Sequence, residues 1–306
     1  MKIGIDLGGT KIEGIVLDAS GHELGRERGV TPAGDYDATI DAVAALVETL
    51  AGRHGAGPDV AVGVGIPGTV SPATGLVKNA NSTCLIGRRL DDDLARKLKR
   101  RVRLANDADC FAVSEAADGA GAGARCVFGV ILGTGVGGGL VIDGKLWVGP
   151  NAITGEWGHN PLPWPRTAAE SPDGRDERPG RKCYCGKSGC IETFLSGPGL
   201  EADFTADGDG AKAPDIAAMA ARGDARACAA LERYEDRLAR ALASVINVID
   251  PDVIVLGGGL SNIERLYAAV PERWQEWVFS DRCDTRLVKN RHGDSSGVRG
   301  AAWLWP

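Results

Sequence analysis

The chain has 306 residues, 43% of them hydrophobic and 25% charged. That is enough apolar material for one large domain or two smaller ones, and the balance excludes global disorder. Lys+Arg 35 against Asp+Glu 41 leaves a net charge of −6, which excludes nucleic-acid binding through bulk charge. One basic stretch, Lys97, Lys99, Arg100, Arg101 and Arg103, reads as a solvated helix face. No run approaches 18 apolar residues, so no transmembrane helix is expected. The opening, MKIGIDLGGTKIEG, lacks the apolar core of a signal peptide, and a cytoplasmic location is the expectation. In that compartment the eight cysteines are thiols or metal ligands. The five scattered ones read as small buried hydrophobes. Gly is 44 of 306, and much of it sits beside apolar runs, where turns approach a ligand closely.

The first predicted strand is Lys2 to Asp6, broken at Gly8-Gly9 and resumed from Lys11 to Leu17. A further hairpin follows Asp18-Ala19-Ser20-Gly21. Thr39 to Leu50 has helical spacing, Val60 to Ile66 is a β-rich run ending at Pro67-Gly68, and Leu90 to Arg100 is an amphipathic helix. A short strand, Val102 to Ala105, ends in Asn106-Asp107 and leads into a helix over Ala108 to Ala117. A second block begins with Val127 to Leu132, stops at Gly133-Thr134-Gly135, and resumes from Gly139 to Ile142 before an Asp143-Gly144 turn. Residues 166–182 are polar and read as an exposed, disordered loop. The longest helical pattern, 225–249, is stopped by Asp250-Pro251, and a buried strand, Asp252 to Leu256, closes on Gly257-Gly258-Gly259. The tail from Ser295 to Trp305 reads as a short helix with buried tryptophans. A strand running into glycines occurs once in each half, which suggests two related α/β domains.

Five groups of residues carry chemistry. In Asp6 to Lys11 (DLGGTK), backbone N–H groups at a glycine pair suit a phosphate, and Asp6 can hold a water of Mg²⁺. An ordinary type I′ hairpin turn is the alternative. Gly133 to Gly139 (GTGVGGG) is a second candidate cradle, or a flexible turn. It is neither a P-loop nor a dinucleotide fingerprint, because the chain after it returns to strand. Asp107, at a strand's carboxyl end, can accept a hydroxyl proton while Asn106 holds a neighbouring hydroxyl; the alternative is that Asp107 only caps the helix. His159, Cys183, Cys185 and Cys190 supply one imidazole and three thiolates, a closed set for structural Zn²⁺, or else free thiols near a loop. Glu156, His159 and Glu192 suit recognition of sugar hydroxyls, or serve only packing and helix-start electrostatics.

Together these motifs resemble the ROK family of sugar kinases. The order is DLGGTK, GIPG (Gly65 to Gly68), Lys78-Asn79-Ala80-Asn81, LANDA, GTGVGGG, GEWGH, CxCGxxGC and IVLGGG, and it spans essentially the whole chain. Within the family, stretches such as EWGHNPLPWP and CYCGKSGCIET look most like the mannofructokinase-type fructokinases. The resemblance implies a two-domain actin-like ATPase (ribonuclease H-like) α/β fold with a cleft between the domains. Residues 1–115 with 294–306 would form the smaller domain, and 116–293 the larger one with the zinc loop. It implies ATP with Mg²⁺, a hexose substrate, no nucleic-acid or membrane partner, and a homodimer. Asp107 would be the base that deprotonates the sugar's primary hydroxyl. Asn81, Asn106, Glu156, His159 and Glu192 would bind the sugar, His159 also holding zinc with Cys183, Cys185 and Cys190. Gly4, Ile5, Asp6, Leu7, Gly8, Gly9, Thr10 and Lys11 would line the nucleotide. So would Gly133, Thr134, Gly135, Val136, Gly137, Gly138, Gly139 and Leu140, with Gly257, Gly258 and Gly259 near the adenosine.

Fructose is then the expected acceptor with mannose second; an N-acetylglucosamine or glucose kinase would carry the same motifs. A ROK transcription factor or sugar sensor would need a DNA-binding module ahead of Asp6, which this sequence does not offer, and would not need Asp107. A zinc hydrolase would need an open coordination position, which three thiolates and a histidine do not leave.

Overall fold

The computed structural model describes residues 1–80, 82–171 and 174–305. In chain order the first stretch runs β1 (Lys2–Leu7), β2 (Lys11–Leu17), β3 (Glu23–Val30), α1 (Tyr36–His54), β4 (Val62–Ile66), β5 (Thr69–Val70), β6 (Val77–Lys78), α2 (Leu90–Leu98), β7 (Val102–Asn106) and α3 (Asp107–Ala117). Next come β8 (Cys126–Leu132), β9 (Val136–Ile142), β10 (Lys145–Leu146), α4 (Glu192–Leu195), α5 (Gly197–Thr205), α6 (Ala213–Ala221) and α7 (Ala225–Ile249). The chain ends with β11 (Val253–Gly257), α8 (Leu266–Trp274), β12 (Arg286–Lys289) and α9 (Ser296–Trp303). It divides into two compact units. One is 1–124 with 139–154 and 291–306; the other is 125–138 with 155–290. The stretch 139–154, which the sequence reading places in the larger domain, groups with the N-terminal unit.

In the first unit the sheet order is β3-β2-β1-β4-β7. β1 pairs antiparallel with β2 and parallel with β4, and β4 pairs parallel with β7. The period of two along β1 and β4 explains both faces. Ile3, Ile5, Leu7, Val62 and Val64 point one way, into a core shared with Val43, Val47 and Leu50 of α1 and Leu94 of α2. Gly4 and Gly63 point the other way and are register partners. A Cβ on either would collide with the backbone of α9, at Val298 and Ala302 or at Ala301. The two bare strands therefore make a flat floor on which α9 lies. Ile15, Leu17, Val298 and Ala302 close that side, with Trp303 packed against them.

The second sheet has the order β10-β9-β8-β11-β12. β10 pairs antiparallel with β9, and β11 pairs parallel with both β8 and β12. Numbered from its own first strand, each sheet reads 3-2-1-4-5. The repeat glimpsed in the two Gly-rich turns is thus a repeat of topology.

Several local expectations change. Residues 166–182 are anchored rather than loose, among those described: buried Glu177 accepts hydrogen bonds from the Arg166 backbone (2.9 Å), Arg237 Nε (2.8 Å) and Arg240 (2.9 Å). The Lys97–Arg103 stretch is solvent-facing as expected, and side chains along it are also partnered on the surface. Lys97 pairs with Asp41, Arg100 binds the carbonyls of Val60 and Ala56, and Arg101 and Arg103 lie over the Trp305 ring. Trp303 and Trp305 are half-buried rather than buried. Of the five scattered cysteines only Cys110 is buried, because it alone sits on the inner face of α3.

Candidate functional site

In the first unit the Gly8-to-Lys11 turn links β1 to β2, closed by Gly8 N–H donating to Lys11 O at 3.0 Å. Neither Gly8 nor Gly9 has a positive φ, so this is not the type I′ turn that a glycine pair ordinarily makes. Thr31 holds it from outside, its hydroxyl donating to Gly8 O (2.7 Å) and its N–H to Thr10 O (3.1 Å). Asp6 is the penultimate residue of β1, just before the turn. Burial first, then the charges of Asp107 and Glu13, push its carboxyl up to about 6, against the pull of Lys11.

Asn106 and Asp107 divide the labour at the end of β7. Asn106 is the N-cap of α3: its Oδ1 accepts from Ala108 N–H at 2.9 Å, and its Nδ2 donates to Gly68 O at 3.1 Å. Asp107 is therefore not the cap, although its Oδ1 also accepts from Ala108 N–H (2.8 Å). Its side chain is open to solvent, yet enough protein surrounds the carboxyl that desolvation raises its pKa, opposed by hydrogen bonds from the Ala108 and Asp107 backbone and from Asn106.

In the second unit the Gly133–Gly135 turn follows β8. Gly133 N–H donates to Gly135 O (3.0 Å), Gly197 N–H to Gly133 O (2.7 Å), and Val136 N–H to Glu192 Oε2 (3.0 Å). The next residues are equally fixed: Gly137 O accepts from Trp157 Nε1 at 3.0 Å, and Trp157 packs edge-on against Phe128. Trp157 belongs to the short 3-10 turn Glu156–His159, so that turn is docked on the start of β9. Gly258, at φ 79, brings the end of β11 so close to Leu132 O that a Cβ would collide with it. Beside this turn lies a cavity of about 710 Å³, walled by Thr134, Pro198, Ala213, Leu260 and Ile263 and edged by the Glu201–Lys212 ion pair (3.0 Å). Its apolar walls with few polar groups have the make-up of a small-molecule site.

His159, Cys183, Cys185 and Cys190 come together, their ligand atoms all within 4.8 Å of one another. His159 Nδ1 is 3.6 Å from Cys183 Sγ, and Cys185 Sγ is 3.6 Å from Cys190 Sγ. Zinc held tetrahedrally by sulfur and nitrogen sets ligand separations of about 3.5–3.8 Å, so the donors and their spacing fit that ion. The other ring nitrogen, Nε2, is 3.0 Å from the Tyr184 hydroxyl, and the two rings meet edge-on. Tyr184 is largely exposed, yet partial desolvation of its hydroxyl, then the charges of Glu192 and Glu156, raise its pKa.

The structure places the candidates Asp6, Asp107, both Gly turns, Glu156, Glu192 and the His/Cys cluster as follows. Each unit brings its own set together: Asp6 with Asp107 in one, Glu156, His159, Glu192 and Gly133–Gly138 in the other. Gly139 and Leu140 group with the first unit. Asn81 lies outside the described residues. The sequence reading missed Tyr184, Trp157 and the Glu201–Lys212 pair. Tyr184 had one available signal, its place between two candidate ligands. Glu201 and Lys212 had none, being eleven residues apart on separate segments.

The chain matches the model of the ROK family over residues 2–306. It is 43% identical over 306 residues to an N-acetyl-D-glucosamine kinase of Escherichia coli, covering 99% of each chain. It is 39% identical over 305 residues to the enzyme of that name from Photobacterium profundum, again covering 99% of each. Among solved structures, a ROK hexokinase from Thermus thermophilus superposes with a TM-score of 0.84 at 29% identity, over 99% of this chain and 97% of that one. A ROK family glucokinase from Streptomyces griseus, solved with glucose and AMPPNP, superposes with a TM-score of 0.75 at 29% identity, over 99% and 98%.

Proposed function

The chain belongs to the ROK family and is an ATP-dependent hexose kinase of the actin-like ATPase fold, and within that class we propose that it phosphorylates N-acetylglucosamine on its primary 6-hydroxyl. The near-complete likeness to N-acetyl-D-glucosamine kinases carries this reading. It favours the alternative named from the motifs over fructose.

Asp107 is the proposed base. Asn106 caps α3 with its own amide and so leaves the Asp107 carboxyl able to take the sugar's proton as O6 attacks the γ-phosphorus. The raised pKa of Asp107 makes it a better proton acceptor. The new O6–P bond forms as the bond to the β-phosphate oxygen breaks, and ADP leaves with that oxygen. The protein's work is to align the two reactants and stabilise γ-phosphoryl charge. In the Gly8–Lys11 and Gly133–Gly139 segments, the N–H groups other than those of Gly8, Gly133 and Val136, which are donated internally, are the proposed phosphate donors, and the cavity beside Thr134 and Leu260 suits the adenosine. Glu156, His159 and Glu192 are the proposed sugar ligands, with Asn81 and Asn106.

The charge of Asp107 adds to the cost of ionising buried Asp6, which fits Mg²⁺ held through water by Asp6. Mg²⁺ when bound would neutralise phosphate charge. Zinc on His159, Cys183, Cys185 and Cys190 would fix the imidazole's orientation. A homodimer and a cytoplasmic location belong to the same proposal. The test is ATP-dependent phosphorylation of N-acetylglucosamine, glucose, fructose and mannose by wild type and Asp107→Asn. N-acetylglucosamine should have the highest kcat/KM, and the variant should lose about 10²–10⁴ in kcat. A higher kcat/KM for fructose would overturn the substrate, and an active variant would overturn the base.

A further inference from the structure

Glu192 does two things at once in this structure. One carboxylate oxygen, Oε2, accepts the N–H of Val136 at 3.0 Å, in the turn proposed to hold phosphate. The other, Oε1, has no hydrogen-bond partner among the described residues. The turn is shaped for the first contact. A Cβ on Gly135 would lie 2.7 Å from Oε2, so the close seat of this carboxylate against the turn needs glycine there, or the carboxylate must shift.

A second tie runs through the same segment. Glu192 opens α4, its carbonyl accepts from Ser196 N–H at 3.1 Å, and Gly197 N–H donates to Gly133 O at 2.7 Å. The segment 192–197 therefore grips the turn at two points, Val136 and Gly133. Two residues before it lies Cys190, within the His/Cys cluster.

We propose that Glu192 is a positioning residue that holds the Gly133–Val136 turn in its nucleotide-binding shape and couples that shape to sugar binding. The proposal rests on the kinase reading above. Without sugar, the hydrogen bond from Val136 to an ionised acceptor already orders the turn. A sugar hydroxyl donating to Oε1 would fix the carboxylate's rotamer and tighten the turn, so each ligand binds better in the other's presence. Such coupling is reciprocal by necessity.

The test compares wild type with Glu192→Asp, Glu192→Gln and Glu192→Ala. AMPPNP affinity is measured by calorimetry without sugar and with N-acetylglucosamine, and sugar affinity without nucleotide, on full-length protein whose folding is checked by thermal melting. Aspartate keeps the charge but retracts the carboxylate from Val136. Its sugar-free AMPPNP affinity should fall about 10-fold, the scale of a hydrogen bond to a charged group. Alanine should do the same. Glutamine can still present an oxygen to Val136, so its nucleotide affinity should stay within about 3-fold of wild type while sugar affinity falls. The wild-type synergy between the two ligands should vanish in the aspartate variant. Sugar-free AMPPNP affinity in Glu192→Asp equal to wild type, with loss confined to the sugar, would overturn the positioning role. Wild type that binds AMPPNP but no N-acetylglucosamine would overturn the sugar reading and the coupling, while the aspartate comparison would still decide the grip on the turn.

Discussion

Replacing Asp6 by Asn should make the protein more stable and less active. The Asp6 carboxyl is held near pKa 6 against an ordinary 3.8, chiefly by burial and by Asp107. A folded-state pKa raised above the unfolded one means that ionisation opposes folding, so the cost appears as pH rises through this window. Two pKa units at 1.36 kcal/mol each make the cost at pH 7 about 3 kcal/mol. At pH 4 the folded protein keeps its proton while the unfolded chain, close to its own midpoint, is only partly ionised, which leaves a cost of about 0.5 kcal/mol. Asn is close in shape and carries no charge. Asp6→Asn should therefore unfold in urea with a stability gain of up to about 3 kcal/mol at pH 7, shrinking to a few tenths at pH 4. Phosphotransfer should collapse at both, because the carboxylate proposed to hold Mg²⁺ through water is gone. A variant no more stable than wild type at pH 7, or a gain independent of pH, would refute the reasoning.

Glu177→Ala removes the shared acceptor of Arg237 and Arg240. It should cost about 3–5 kcal/mol in urea unfolding and expose residues 166–177 to limited proteolysis; a cost under about 1 kcal/mol would show the network to be dispensable. Purified protein should contain about one zinc per chain by elemental analysis. Chelation or Cys190→Ser should lower the melting temperature, and metal-free protein with unchanged melting in chelator would remove zinc from the account.

The parts legible in the sequence were those whose physics is local. Alternation in β1 and β4, helical spacing in α1 and α7, and a glycine pair after a strand declare themselves within a few residues. The His/Cys cluster was legible because four soft donors with flanking glycines have few other uses. What stayed hidden depends on partners far along the chain. The motif Asn106-Asp107 does not say which residue caps the helix; the carbonyl of Gly68, which takes the Asn106 amide, decides it. The 166–182 loop looked loose because its charges outnumber its apolar residues. Its order comes from Arg237 and Arg240, sixty residues on, whose burial keeps their pairing with Glu177 strong. Burial alone would raise the Glu177 carboxyl, yet the hydrogen bonds from Arg240 and Arg237 hold it below the usual range.

The seat of α9 on Gly4 and Gly63 has a consequence for synthesis. The first unit needs residues 291–306 to complete it, so its sheet leaves the ribosome with one face bare. At about 5–20 residues per second, some 170 intervening residues take roughly 8–35 s to translate. For all of that time two glycine-lined strands, with Ile15 and Leu17 beside them, wait for a helix not yet made. Early termination within the last few turns would then strand the nascent N-terminal half as a sticky, chaperone-dependent intermediate, rather than yield a slightly shortened enzyme.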